Sequence, residues 1–192
     1  MHVSIRSLAA GVLCLIVIGM ARPAAAQDVP NGTFSGGYQF FSGKGEGNDE
    51  EWENFPKGWY FDVTGNLTDV VGIVGQVSGN YKHFDDDDVD FNIHTFMGGV
   101  RTSTQGQVRA FGQFLVGGAN FKASDDIDSV SETDFAIQFG AGVDVMGGGG
   151  VGLRVGADYL RVFAKDEGDL SAGEDVNGFR FVVGVVFGLG GR

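Results

Sequence analysis

Acidic residues fall into four short clusters, and carboxylates spaced this closely could bind a hard cation such as Ca²⁺. The clusters hold nineteen of the 25 acidic residues and span 46–53, 85–90, 125–132 and 166–175. The densest run is Asp85, Asp86, Asp87 and Asp88. It lacks the D-x-[DN]-x-[DN]-G spacing of a calcium loop. The sequence therefore predicts a solvated acidic loop that attracts divalent cations weakly, and no specific metal site.

A second polar group lies inside segments that alternate apolar with small or polar residues. We expect its members on one face of a sheet: Asp62, Gln76, Arg109, Gln138, Asp144, Arg154, Asp158 and Arg180. Three aspartates there oppose three arginines. Such charges could line a narrow porin-like channel, or they could pair and fill a small barrel. Eight strands leave room for side chains only, and each buried charge needs a partner. The filled interior is therefore favoured, with the channel as the alternative.

Catalysis would need a nucleophile within hydrogen-bond reach of a base. His94 is the only histidine inside a predicted strand, and Ser78 and Ser103 are the nearest serines by segment. No lipase motif surrounds them. The sequence predicts no enzyme activity and no cofactor.

Beyond residue 26, apolar residues recur at every second position, the period of a β-strand. This pattern predicts eight strands, at 33–42, 59–64, 71–81, 91–103, 108–121, 134–145, 151–159 and 178–189. The pattern leaves the faces of the fourth and fifth strands unassigned. The pairs Gly98-Gly99 and Gly117-Gly118 in these two strands are interpreted as bulges that reset the alternation.

Short turns at 66–69, 104–107 and 147–150 alternate with the four acidic connections. In an up-and-down sheet every second connection lies at the same end, so all four acidic clusters are placed together. An even strand count with long loops at one end and short turns at the other is typical of a bacterial outer-membrane barrel. Its apolar face points outward, because eight strands could not enclose so many Phe and Val side chains, and its inner face carries small residues and balanced charges.

Aromatic residues near the loop ends are interpreted as an interfacial girdle that sets the depth of the barrel in the membrane. They are Trp59, Tyr60, Tyr81, Phe91, Phe121, Tyr159 and Phe163. Ordinary β-propensity is the alternative explanation.

Residues 1–26 have a basic start, an apolar stretch from Leu8 to Met20 and the triplet Ala24-Ala25-Ala26. This layout predicts a cleaved secretory signal, followed by one domain over residues 27–192 without cysteine. The formal net charge of −12 argues against nucleic-acid binding, which needs basic patches. A hydrophobic content of 43% argues against disorder.

The chain resembles the small eight-stranded outer-membrane barrels, the group that contains the transmembrane domain of outer-membrane protein A and the opacity-type surface barrels. The matching segments are 35–38, 58–59, 64–67, 71–74, 78–79, 94–96, 117–119, 142–145, 154–155, 157–159 and 181–190. The resemblance implies an outer-membrane location and a structural or adhesive role. It also implies recognition of the last strand by the assembly machinery, although Gly190-Gly191-Arg192 replaces the usual terminal aromatic.

The sequence thus predicts an all-β, eight-stranded, antiparallel up-and-down transmembrane barrel with a structural or cell-surface role. Its expected partners are outer-membrane lipid or lipopolysaccharide, the assembly machinery and weakly held divalent cations, with no nucleic acid. The expected state is a monomer. A soluble lipocalin-like carrier is disfavoured, because its apolar faces would have to point inward.

Overall fold

The computed structural model describes residues 30–45, 52–84, 89–124, 129–164 and 175–191. Its strands are β1 (Pro30–Gly45), β2 (Glu53–Phe55), β3 (Lys57–Asn66), β4 (Val71–Phe84), β5 (Val89–Ser103), β6 (Val108–Ser124), β7 (Ser129–Met146), β8 (Val151–Phe163) and β9 (Val176–Gly191). A single 3-10 turn, Gly148–Gly150, precedes β8. The predicted signal at 1–26 and the aspartate run at 85–88 lie outside the described residues. In the described ranges, no helix has the length and apolarity needed to cross a membrane.

The strands form one closed antiparallel sheet. Neighbours in sequence pair with each other, and β9 pairs with β1 to complete the circle. The segments β2 and β3 both pair with β1 and form one barrel strand interrupted at Pro56, which has no N–H for the ladder. The register changes there, because Tyr38 pairs with Trp59 whereas Phe41 pairs with Phe55. Two residues of β1 thus oppose three of its partner, as in a β-bulge. The predicted eight-stranded up-and-down barrel is confirmed.

Side chains alternate between the interior and the outer surface. In β8, Arg154 is 1% exposed while its neighbours Leu153 and Val155 are 63% and 61% exposed. Large apolar side chains cover the outer surface of other strands too, among them Ile73 and Phe96. This distribution is the reverse of that in a water-soluble barrel. It suits a wall that faces hydrocarbon, with the backbone groups satisfied within the closed sheet.

The glycine pairs of β5 and β6 mark close backbone contacts, and the predicted bulges at these positions are wrong. The pairing of β5 with β6 runs without a break through both glycine pairs. A Cβ atom on Gly99 would overlap the carbonyl oxygen of Phe114, and one on Gly117 would overlap that of Phe96. Glycine is therefore needed to let the two strands approach. Because the alternation is unbroken, odd-numbered residues of both strands face inward.

The predicted aromatic girdle is only partly correct. Trp59, Tyr81, Tyr159 and Phe163 lie on the outward-facing positions of their strands near the loop end. By contrast, Tyr60 and Phe121 are 2% and 6% exposed, and Phe91 packs against the buried interior. Tyr60 directly follows Trp59, so the period of two puts the two rings on opposite faces of the wall.

Candidate functional site in the barrel interior

A buried carboxylate, Asp62 on β3, organises the half of the interior nearest the short turns. Its two oxygens accept hydrogen bonds at 3.2 and 3.1 Å from the terminal nitrogens of Arg101 on β5. Arg154 on β8 donates to Oδ2 at 2.6 Å, and the Ser35 hydroxyl of β1 donates to the same oxygen at 2.9 Å. Asp62 is 1% exposed, so one carboxylate joins four strands in a region with little water.

Arg154 and Arg101 also share an aromatic ring. Arg154 forms a bidentate pair with Asp144 on β7, with N–O distances of 2.6 and 2.8 Å. The guanidinium carbons of Arg101 and Arg154 each lie 4.7 Å from the ring centroid of Phe111 on β6. Both cations therefore combine ion pairs with a cation–π contact, which strengthens when the groups are desolvated. Gly142 leaves the space for this ring, since a Cβ there would contact the edge of Phe111.

The network continues toward the middle of the barrel through amide side chains. Gln113 accepts from Arg101 at 2.6 Å and donates to Asp158 at 2.9 Å. Arg180 lies 4.0 Å from Asp158. It also donates to the side-chain oxygens of Gln138 and of Gln76, the latter at 3.3 Å. The charged side chains of this network are thus paired with opposite charges or hydrogen-bonded by residues from other strands.

The end of the interior nearest the long loops is apolar. Its buried members are Phe41, Phe55, Ile93, Phe121, Leu160 and Val162, with Phe91 and Val176 packed against them. The rings of Phe41, Phe55, Phe91 and Phe121 form a chain with centroid separations of 5.7, 5.9 and 6.2 Å. We name this group the apolar plug. It corrects the expectation that the inner face carries only small residues and charges.

The structure places the sequence-predicted polar residues as follows. Seven are buried inside the barrel: Asp62, Gln76, Gln138, Asp144, Arg154, Asp158 and Arg180. The eighth, Arg109, is half-buried at the turn end, where its Nε donates to the carbonyl oxygen of Gly106 at 3.0 Å. The predicted acidic loop residues 85–88 are outside the described chain.

Sequence reasoning missed other buried polar residues, above all Arg101 and Gln113, which are 3% and 8% exposed. Ser35 and Gln39 are buried as well. Asn80 and Asp134, also buried, share the face of β4 and of β7 on which the polar residues were predicted. Continuing the alternation straight through Gly98-Gly99 would have placed Arg101 on the inner face. The assumed bulge removed that signal.

His94 lies on the outer surface and is separated from the serines considered above. Its Nε2 is 3.2 Å from the Tyr81 hydroxyl, which accepts a hydrogen bond from Trp59 Nε1 at 2.9 Å. Ser78 points into the barrel and lies 2.7 Å from the Thr95 hydroxyl. Ser103 lies at the turn end. Within the described part of the chain, no group of three or more His, Cys, Asp or Glu side chains is arranged to hold a metal ion.

Comparisons with known proteins agree with this architecture. Neisserial surface protein A has a TM-score of 0.68 at 10% identity, and the match covers 83% of this chain and 97% of that one. Ail, the attachment invasion locus protein of Yersinia pestis, has a TM-score of 0.56 at 19% identity, covering 82% of this chain and 99% of that one. No curated protein matches the sequence. The profile of the outer-membrane protein β-barrel domain matches residues 10–187. The chain therefore belongs to the outer-membrane protein β-barrel domain family and is a protein of the bacterial outer membrane.

Proposed function

We propose that this barrel has a structural or cell-surface role, as a rigid anchor that presents four acidic loops outside the cell. The observation that carries the proposal is the filled interior. Ion pairs around Asp62 and Arg180 occupy the turn-end half and the middle, and the apolar plug occupies the loop end. With its interior closed, the barrel has its outer wall and its loops left for contact with other molecules. The names of Ail and neisserial surface protein A point to attachment and surface roles in similar barrels.

Conductance measurements distinguish this proposal from the alternative, a narrow channel for small solutes. The refolded protein is inserted into planar bilayers, with a general porin in the same lipid as the positive control. A filled interior predicts no stepwise conductance, since ions would have to cross the apolar plug and displace buried ion pairs. Reproducible single-channel steps would replace the anchor proposal with the channel.

Loop presentation is tested by epitope insertion in whole cells. One tag is placed within residues 85–88, between β4 and β5, and a matched tag within the 104–107 turn between β5 and β6. Long loops lie outside and short turns lie in the periplasm in this class of barrel. We expect antibody to label intact cells only for the first tag. Labelling of the turn tag instead would invert the proposed topology.

The proposed partners follow from the sequence. Outer-membrane lipid or lipopolysaccharide would surround the apolar wall. The assembly machinery would recognise the last strand, which here closes the barrel against β1. Divalent cations would gather weakly at the acidic loops, and calorimetry with Ca²⁺ in the millimolar range should detect their heat of binding. A barrel that gives no such heat has no collective cation site.

A further inference from the structure

The turn end of the barrel contains a small polar pocket that the proposed surface role does not use. The pocket has a volume of about 30 Å³, which is room for roughly two water molecules. Arg109, Arg101 and Arg154 line it, together with the hydroxyl-bearing side chains of Thr64 and Ser103. Turn residues such as Gly106 also line it, so the pocket lies at the periplasmic mouth.

The arginines of this pocket differ in how fully they are bonded. Arg101 donates hydrogen bonds to Asp62, Thr64 and Gln113 from all three of its nitrogens. Arg154 is held by Asp62, Asp144 and Ser35. Arg109 makes one such bond, from Nε to the Gly106 carbonyl. Among the described residues, the two terminal nitrogens of Arg109 have no hydrogen-bond acceptor and no carboxylate within ion-pair distance.

Arg109 is the one arginine of this pocket that forms no ion pair among the described residues. The pocket's three arginines face two buried carboxylates, Asp62 and Asp144, and both are engaged by the other two arginines. Asp69 also lines the mouth but is exposed and forms no ion pair with Arg109. Asp144 lies opposite Arg109 in the pairing of β6 with β7, but its oxygens are bonded to Arg154. The terminal nitrogens of Arg109 therefore remain available to donate to a bound anion.

The position of Arg109 is fixed by the surrounding backbone. The 104–107 turn is closed by a hydrogen bond from the Thr104 amide to the Ala110 carbonyl at 2.9 Å. The same turn is tied to the end of β7 by the Met146 amide, which donates to the Gln107 carbonyl at 2.7 Å. The Nε bond to Gly106 then orients the guanidinium fork, leaving its planar outer edge for a ligand. That edge matches the two oxygens of a carboxylate.

We propose that Arg109 and the pocket beside it form a binding site for a small carboxylate on the periplasmic side of the barrel. Two sources have this chemistry: free carboxylate anions, and the carboxylates of peptidoglycan stem peptides. The pocket itself does not depend on the surface role, but its periplasmic location rests on the topology proposed above, in which the short turns lie in the periplasm.

Nuclear magnetic resonance of the full barrel in non-ionic micelles tests the site. Signals of the Arg109 Nε–H and the Gly106 amide are followed during titration with acetate, with chloride at equal ionic strength, and with a soluble muropeptide. We expect saturable shifts of both signals with acetate. The shift of the Gly106 amide should disappear in Arg109→Gln and persist in Arg161→Gln, a control at the loop end. A muropeptide that binds more tightly than acetate identifies the cell wall as the source, and equal affinity identifies the free anion.

A conservative variant keeps the test decisive if Arg109→Gln does not fold. Arg109→Lys retains the charge and loses the planar fork, so we expect affinity for acetate to fall roughly ten-fold. Equal responses to chloride and acetate would show screening of charge and would overturn the carboxylate site. The carboxylate site would also be overturned if acetate caused no shifts, or if the shifts of the Gly106 amide were the same in both Arg109 variants as in the unchanged protein.

Discussion

Replacing Asp62 with asparagine tests whether the interior network stabilises the barrel. Asparagine keeps the size of the side chain but removes the charge that faces Arg101 at 3.1 Å and Arg154 at 2.6 Å. Arg154 retains Asp144, whereas Arg101 is left without a carboxylate partner among the described residues. Removing one partner from a buried ion pair costs about 3–5 kcal/mol. We expect Asp62→Asn to lower the free energy of unfolding by that amount.

The measurement is urea-induced unfolding of the barrel in lipid vesicles, followed by tryptophan fluorescence and by gel mobility of unheated samples. Glu53→Gln is the matched control, because it removes one member of a solvent-exposed pair with Lys82. Exposed pairs contribute about 0–1 kcal/mol. A loss for Asp62→Asn no larger than that of the control would refute the role of the network.

A double variant separates charge imbalance from simple loss of contacts. Combining Asp62→Asn with Arg101→Gln removes one negative and one positive charge from the same pair. An unpaired buried charge destabilises the folded barrel more than a neutral polar pair does. We therefore expect the double variant to have a higher free energy of unfolding than Asp62→Asn alone. Strictly additive losses from the two substitutions would contradict coupling between the residues.

Three further predictions test the wall and the core. Gly99→Ala should prevent folding or lower the free energy of unfolding by several kcal/mol, because the added Cβ would overlap the Phe114 carbonyl oxygen. Gly75→Ala is the control: its surroundings are open, so the free energy of unfolding should change by less than about 1 kcal/mol in the same urea assay. Phe111→Leu should cost about 1–2 kcal/mol through loss of two cation–π contacts, and an unchanged unfolding midpoint would contradict this. In the variant Trp52→Phe, the fluorescence of Trp59 should be quenched most by lipids brominated near the headgroup. Stronger quenching by lipids brominated at the ends of their acyl chains would place Trp59 deeper than an interfacial girdle.

The fold could be predicted from the sequence because a barrel wall repeats one simple rule. Each strand alternates between two environments, so a period of two in residues such as Phe179, Phe181 and Val183 reports the outer surface directly. The short turns and acidic connections then give the strand count. The division of the second barrel strand at Pro56 was missed, because that change of register depends on pairing with β1.

The interior was harder to predict, because its contacts join strands that are far apart in sequence. Arg154 donates a hydrogen bond to Ser35, which lies 119 positions away in the sequence. No local sequence pattern predicts such a contact. The apolar plug was missed for a related reason: Phe41, Phe91 and Phe121 look like outward-facing residues when apolar is equated with outward. Near the loop end an inner face can be apolar too, since hydrophobic packing closes a lumen as effectively as paired charges do.

The two ends of the interior therefore present different barriers to an ion or a small solute. An ion arriving from the loop side meets the apolar plug, where it would lose its hydration without gaining a partner. In the turn-end half and the middle, Asp62 and Arg180 are already held by other side chains, and a solute would have to break those bonds to pass. At the turn end Arg109 lines an open pocket, and among the described residues its terminal nitrogens have no hydrogen-bond acceptor. If the proposals hold, a closed barrel separates the loops on one side from a small-anion site on the other. Substitutions in the network should then affect stability, those in the loops should affect surface contacts, and Arg109→Lys should affect anion binding.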